Sequence, residues 1–233
     1  MNRIGWLEKW TLRYAVVASH HLLSDRPQPL VMRLLSGQFI TWGEFLTMGL
    51  SVFAALATIW LARPVRLTPA LKFVLGSIFG FAIGGMAGLV QANTGLNLIL
   101  HNTQWVIGIH AHTQLLVGLG MLLFAVIYAL LPLLTKLDIR STRLADVHFW
   151  TWLVGAMMMN YATGLAGAQG MLRRTLYDPP IFTSNMAWAL AGSLLMAVGF
   201  IAFLANLLIT LGWGNLVSLV VPDRWRKPLP TAA

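Results

Sequence analysis

The feature that most constrains this chain is a series of six long apolar runs, at about 5–22, 37–62, 72–94, 104–134, 146–169 and 184–213. A bilayer core takes about 20 apolar residues per helix. Each run reaches or nearly reaches that length, the first being the weakest, and together they leave little chain for anything else. A soluble domain covers its surface with roughly a quarter of its residues charged. Here only 10% of residues are charged, against 58% hydrophobic and a mean hydropathy of +0.72. Soluble enzymes and disordered tails are excluded. The fold class expected is an all-α membrane protein of six transmembrane helices, with residues 1–233 forming a single transmembrane domain.

The turns between runs carry breakers, as at Arg26-Pro27-Gln28-Pro29, Arg63-Pro64, Asn93-Thr94-Gly95 and Tyr177-Asp178-Pro179-Pro180. The first run is interrupted by Glu8, Lys9, Arg13 and the pair His20-His21. An ionisable residue inside a span marks a functional site by default. No small-residue cleavage site follows this run, so it does not read as a signal peptide.

The net charge of +9 sits in short loops and reads as topology rather than nucleic-acid binding. With a cytoplasmic N-terminus, the inner side holds Arg3, Lys9, Arg13, Arg63, Arg66, Lys72, Lys136, Arg140, Arg143, Arg224, Arg226 and Lys227. The outer side keeps Arg26, Arg33, Arg173 and Arg174. Both termini are therefore expected in the cytoplasm. Cysteine is absent, which removes disulfides, thiolate metal sites and a cysteine nucleophile. Any metal falls to His or carboxylates.

Six histidines occur, and His20, His21, His101, His110 and His112 fall near the outer ends of spans. His148 begins the fifth run from the opposite side. Polar groups at membrane depth need an internal partner or a ligand. At about 100° per residue, His110 and His112 point some 200° apart on one helix. They cannot share a metal, but each can hold its own large planar cofactor, an arrangement that suits two haems. The other reading has one lining a polar cavity and the other bonding a neighbouring helix. His20-His21 can converge on one ion at a distorted helix end; alone the pair serves equally as a structural contact. Imidazole-only ligation suits copper, zinc or iron.

The combined order of these motifs resembles the haem-copper oxidase superfamily, specifically the catalytic subunit of its ba-type (B-family) members. The resemblance is carried by Leu100-His101-Asn102-Thr103 followed by His110-Ala111-His112, and by His20-His21 with Ser24-Asp25. Further matches are Gly84-Gly85-Met86-Ala87-Gly88-Leu89, His148-Phe149-Trp150 and Gly170-Met171-Leu172-Arg173-Arg174. It spans roughly residues 14–205. It implies that His110 is the axial ligand of a high-spin haem, His112 an axial ligand of a low-spin haem, and His20 and His21 two of three ligands to the copper, CuB. It places His101 beside the haem propionates, with Arg173 and Arg174 binding them, as forked guanidinium groups bind carboxylates.

Glu44, Thr47 and Ser51 fall on one face of the second run. The resemblance implies a proton path there; an interhelical hydrogen-bond seam fits the spacing equally. Met157-Met158-Met159 and the aromatic residues read as packing and interfacial belts.

The resemblance covers only the last six of twelve core helices. The helices bearing the other low-spin haem ligand, the third copper ligand and its nearby Tyr have no counterpart. A split enzyme is expected, with a partner subunit carrying the first half; the opening Met and polar start favour this over a fragment. A subunit II-like electron-entry protein and cytochrome c or a similar donor complete the implied partners, with no nucleic acid. The implied location is the inner or plasma membrane of a bacterium or archaeon.

Three rivals stand beside oxygen reduction. Nitric oxide reductases of the same superfamily use non-haem iron in place of copper; Glu44 and Ile127-Tyr128-Ala129-Leu130-Leu131-Pro132 suit them. His101-Asn102-Thr103 and Arg173-Arg174 favour the oxidases. A non-catalytic haem-binding membrane subunit predicts haem without turnover. A secondary transporter predicts no haem absorbance, and the absence of an inverted half-repeat counts against it.

Overall fold

The computed structural model describes residues 30–174 and 180–212. The expected first span at 5–22, with His20 and His21, lies outside the described residues. What is described is helical throughout apart from short connections. Helix α1 runs over Leu30–Leu61, α2 over Pro69–Ala92 and the short α3 over Thr94–Leu100. A π-helical segment, Val106–Leu119, continues directly into α4, Gly120–Thr135. Then come α5, Thr142–Ala168, a 3₁₀ turn at Pro180–Phe182, and α6, Thr183–Leu211.

Among the described residues, four segments are long and apolar enough to cross a membrane: Phe39–Leu61, Pro69–Ala92, Val106–Thr135 and Pro180–Leu211. Helix α5, the fifth expected span, has 27 residues, long enough to cross, but a weaker apolar character. Its sequence holds Arg143, Asp146, His148 and Asn160. It lies between two neighbours, and its small residues Gly155, Ala156, Ala162, Gly164, Ala166 and Gly167 are buried. A helix enclosed by protein needs a thin profile more than a greasy one.

The boundaries follow local chemistry. Thr68 accepts from the Leu71 N–H and Pro69 opens α2, a start that Pro favours because its missing N–H would be unpaired there anyway. Asn93 ends α2 and accepts from Leu96 N–H to begin α3. The stretch expected as a turn at 93–95 is therefore a corner between two helices. Ser141 caps α5, and Asn206 of α6 holds that cap from both sides, accepting from Ser141 N–H and donating to Ser141 O.

Successive helices pack antiparallel through glycine. On α2, Gly76, Gly80, Gly84 and Gly88 recur every four residues and face the next segment in reverse order. A Cβ at Gly76 would meet Met121, one at Gly80 the backbone of Val117 and Gly118, one at Gly84 Gln114, and one at Gly88 His110. Segment α5 crosses the π-helical stretch in the same manner, with Gly167 against Trp105, Gly164 against Ile109 and Gly108 against Asn160. Gly155 and Gly192 do so between α5 and α6. In a bilayer, where apolar side chains gain little by leaving lipid, such close backbone approach supplies the dispersion contact that holds helices together.

The bundle is closed at one end by an aromatic core. Phe73, Phe124, Tyr128, Trp152 and Phe203 surround His148, which is fully buried and shares a 3.2 Å hydrogen bond with Tyr128. The sequence reading put His148 at the start of a span on the cytoplasmic side. In the structure it is a centre of the core, reached after two turns of α5.

Gly80→Val is expected to destabilise the bundle by about 1–3 kcal/mol, because the added groups meet backbone that cannot rotate away. Gly49→Ala, where nothing lies within 4 Å, should leave stability unchanged. Unfolding midpoints in a detergent titration separate the two.

Candidate cofactor site

The π-helical segment is the frame of the site. Its backbone bonds skip five residues, as where Gly120 N–H donates to Leu115 O, and Thr113 Oγ1 closes the same register on Gly108 O at 3.1 Å. The sequence reading took 104–134 as one regular α-helix. The wider winding turns each residue through less than the α-helical 100°, so His110 and His112 still face opposite walls of the segment.

His110 lies against α2. Its Nδ1 is 2.7 Å from the Gly84 carbonyl oxygen. A carbonyl only accepts, so the proton sits on Nδ1 and the Nε2 lone pair is left free, the state in which imidazole binds a metal. Gly88 makes the room: a Cβ there would stand 3.0 Å from His110 Cε1. Beside this imidazole opens a cavity of about 260 Å³ between α1, α2 and the π-helical segment. Glu44, Met48, Gln91, Asn97 and Gln114 are among the residues lining it.

His112 precedes Thr113, whose Oγ1 accepts from Asn160 Nδ2 of α5 at 3.2 Å. The His112 Nδ1 is buried and without a hydrogen-bond partner, as are Gln91 Nε2 beside the His110 cavity and Asn160 Oδ1 on α5. An orphaned Nδ1 calls for an acceptor, since it carries the proton when Nε2 is the ligating nitrogen. His110, by its fixed tautomer and glycine cradle, suits axial ligation of a haem. Among the described residues no three or more His, Cys, Asp or Glu gather as a metal cluster.

At one end of the segment the chain builds a clamp. Thr103 and Leu172 form an antiparallel bridge, Gln104 N–H donates to Met171 O at 2.8 Å, and Arg173 N–H donates to Asn102 O at 3.0 Å. Arg173 Nε also donates to Asn102 Oδ1 at 3.1 Å. Gly170, at φ +99°, and Arg174, at φ +61°, take left-handed conformations on either side of this contact. The clamp brings Arg173 and Arg174 to the connection that carries His101, whose own Nδ1–H donates to Asn97 O at 2.7 Å. His101 and Arg174 are exposed and Arg173 is half-buried.

Glu44, Thr47 and Ser51 share an exposed face of α1, as their spacing predicts. Thr47 Oγ1 donates to Glu44 O and Ser51 Oγ to Thr47 O, so each hydroxyl proton is held by its own helix. Of the three, only Glu44 reaches the His110 cavity. Gly84 and Asn102 stand in sequence motifs, but without the roles they take here as acceptors for His110 and Arg173, and the cavity glutamines stand in none. The four-residue glycine spacing in an apolar run was a signal available for the first of these.

The fold and the site define the class: a helical membrane bundle with a tautomer-fixed histidine beside a cavity. The family model described as Cytochrome C and Quinol oxidase polypeptide I matches residues 10–201, and the chain belongs to this family. Cytochrome c oxidase polypeptide 1 of Halobacterium salinarum is 31% identical over 191 residues, which cover 82% of this chain and 31% of that protein. Cytochrome c oxidase subunit 1 of Yarrowia lipolytica is 32% identical over 155 residues, 66% of this chain and 28% of its own length. A haem-copper terminal oxidase dimer solved by cryo-electron microscopy superposes with a TM-score of 0.63 at 25% identity, covering 82% of this chain and 38% of that one. The chain spans about a third of the length of the relatives it matches.

Asn102→Ala removes the side-chain acceptor of Arg173, a loss of about 0.5–1.5 kcal/mol for one hydrogen bond. Amide hydrogen exchange at Gln104 and Arg173 should quicken by up to about tenfold, while exchange in the aromatic core stays as it was.

Proposed function

We propose that this chain is the C-terminal half of the catalytic subunit of a haem-copper oxygen reductase, working with a partner that carries the remaining ligands. The observation that carries this reading is His110, its Nδ1–H held by Gly84 O and its other nitrogen free beside the cavity, in a chain of this family. In this reading the chain crosses the membrane six times, its first span at 5–22, in a bacterial or archaeal plasma membrane with both termini cytoplasmic.

His110 would hold the high-spin haem and His112 the low-spin haem, with His20 and His21 two of the copper ligands. When bound, these groups supply electron transfer and the reduction of oxygen to water with electrons from cytochrome c or a similar donor. The chain's own part is to position and to exclude. The Gly84 carbonyl orients the His110 ring and keeps its proton away from the ligating nitrogen. The clamp holds Arg173 and Arg174 where fixed positive charge can meet the carboxylates of a haem edge, with His101 nearby. In this reading Glu44, on the cavity wall, is the proton-carrying group nearest the site, at the cavity end of the stripe with Thr47 and Ser51. Proton translocation and a subunit II-like electron-entry protein belong to the same reading.

Nitric oxide reduction is the second reading, and the Glu44 carboxylate in the His110 cavity is what favours it. In that case non-haem iron replaces copper.

The test is the haem and metal content of the detergent-purified native complex, by pyridine haemochrome and elemental analysis, with subunits identified by mass spectrometry. Two haems, one copper and a co-purifying membrane subunit are expected. Two haems with non-haem iron move the assignment to nitric oxide reduction; no haem overturns it. His110→Ala should remove the high-spin haem spectrum alone and His112→Ala the low-spin spectrum alone.

A further inference from the structure

Two of the orphaned atoms belong to residues on the two sides of one helix contact, His112 on the π-helical segment and Asn160 on α5. Trp105 and Ile109 meet the glycines of α5, Gly108 meets Asn160 and Thr163, Thr113 Oγ1 accepts from Asn160 Nδ2 at 3.2 Å, and Leu116 O accepts from Trp152 Nε1 at 2.9 Å. This stripe of the π-helical segment brackets His112. His112 Nδ1 and Asn160 Oδ1 are both buried without partners, and Asn160 is fully enclosed. One is a ring nitrogen that carries a proton whenever Nε2 binds a metal; the other is an oxygen that can only accept. The Asn160 amide is anchored through its nitrogen to Thr113, the residue next to His112, which leaves the oxygen as its free end.

We propose that Asn160 is the positioning residue of His112, its Oδ1 accepting from the His112 Nδ1–H through one buried water. This rests on the reading of His112 as a haem ligand. The consequence is electronic as well as geometric. An acceptor on Nδ1–H makes the imidazole more basic, favours the ferric state of a bound haem and lowers its potential. It also explains a strong polar side chain in the middle of an otherwise thin helix face, where Gly155, Ala156 and Gly164 surround it in sequence. His110 has a carbonyl from α2 for this purpose, and His112, facing the other wall, has a side chain from α5.

The test uses the purified holo-complex and an isosteric pair. Asn160→Val removes the acceptor; Asn160→Thr has the same shape and keeps a hydroxyl oxygen. Redox titration of the low-spin haem should show a shift to higher potential in the Val variant and a value near that of the unmodified complex in the Thr variant. The g values of the oxidised low-spin haem in electron paramagnetic resonance should move in the Val variant alone. Equal shifts in both, or none in either, overturn the proposal, since packing alone treats the pair alike. Asn160→Ala and Asn160→Ser repeat the comparison with smaller groups where the first pair does not assemble. His112→Ala tells the two levels apart: loss of the low-spin spectrum upholds the ligand, and its persistence overturns ligand and positioning residue together.

Discussion

Everything in this bundle hangs on how closely the backbone of α2 can approach the π-helical segment. A carbonyl can receive the proton of a neighbouring helix's imidazole only if no side chain stands between them, and Gly84 and Gly88 provide that bare surface one turn apart. The same four-residue spacing continues through Gly80 and Gly76 to the aromatic core, so a single groove seats the helix and orients the histidine. Widen the gap by a methyl group and the packing and the tautomer are lost together. The packing of the membrane helices and the chemistry of His110 are in this sense one interaction seen at two scales.

The π register has a similar double role. A regular α-helix would carry its side chains past the neighbouring helices at a fixed pace. The wider winding over Val106–Leu119 holds the His110 side against α2 and the Trp105, Gly108, Ile109 and Thr113 side against α5 through the same stretch. At Gly120 the chain returns to α-helix, and from there its side chains serve the aromatic core rather than a site. The change of winding coincides with the change of task, in keeping with the concentration of such winding at functional positions.

Much of this was legible in the sequence. Apolar length gave the helical membrane class, and the His110-Ala111-His112 spacing predicts two separate faces, of which the His110 face meets α2. The Glu44, Thr47 and Ser51 periodicity predicted a shared face, again as observed. What stayed hidden depends on pairing between distant segments. That Gly84 faces His110, that Asn102 holds Arg173 and that Asn206 caps α5 are facts of tertiary neighbourhood, which hydropathy does not encode. The π winding was hidden too, since its composition is that of any apolar helix. The burial of His148 was hidden as well, since the Phe73, Phe124 and Phe203 rings around it come from other helices.

The glycine groove also fixes what kinds of change this chain can absorb. Glycine has no smaller replacement, so each of the four groove positions on α2 can vary in one direction only, toward a collision. The outward residues of the same helix, such as the exposed Phe79 and Met86, meet no such barrier. One helix therefore carries two mutational regimes side by side, frozen along the groove and free to drift a third of a turn away. The boundary between them is set by the reach of a single methyl group.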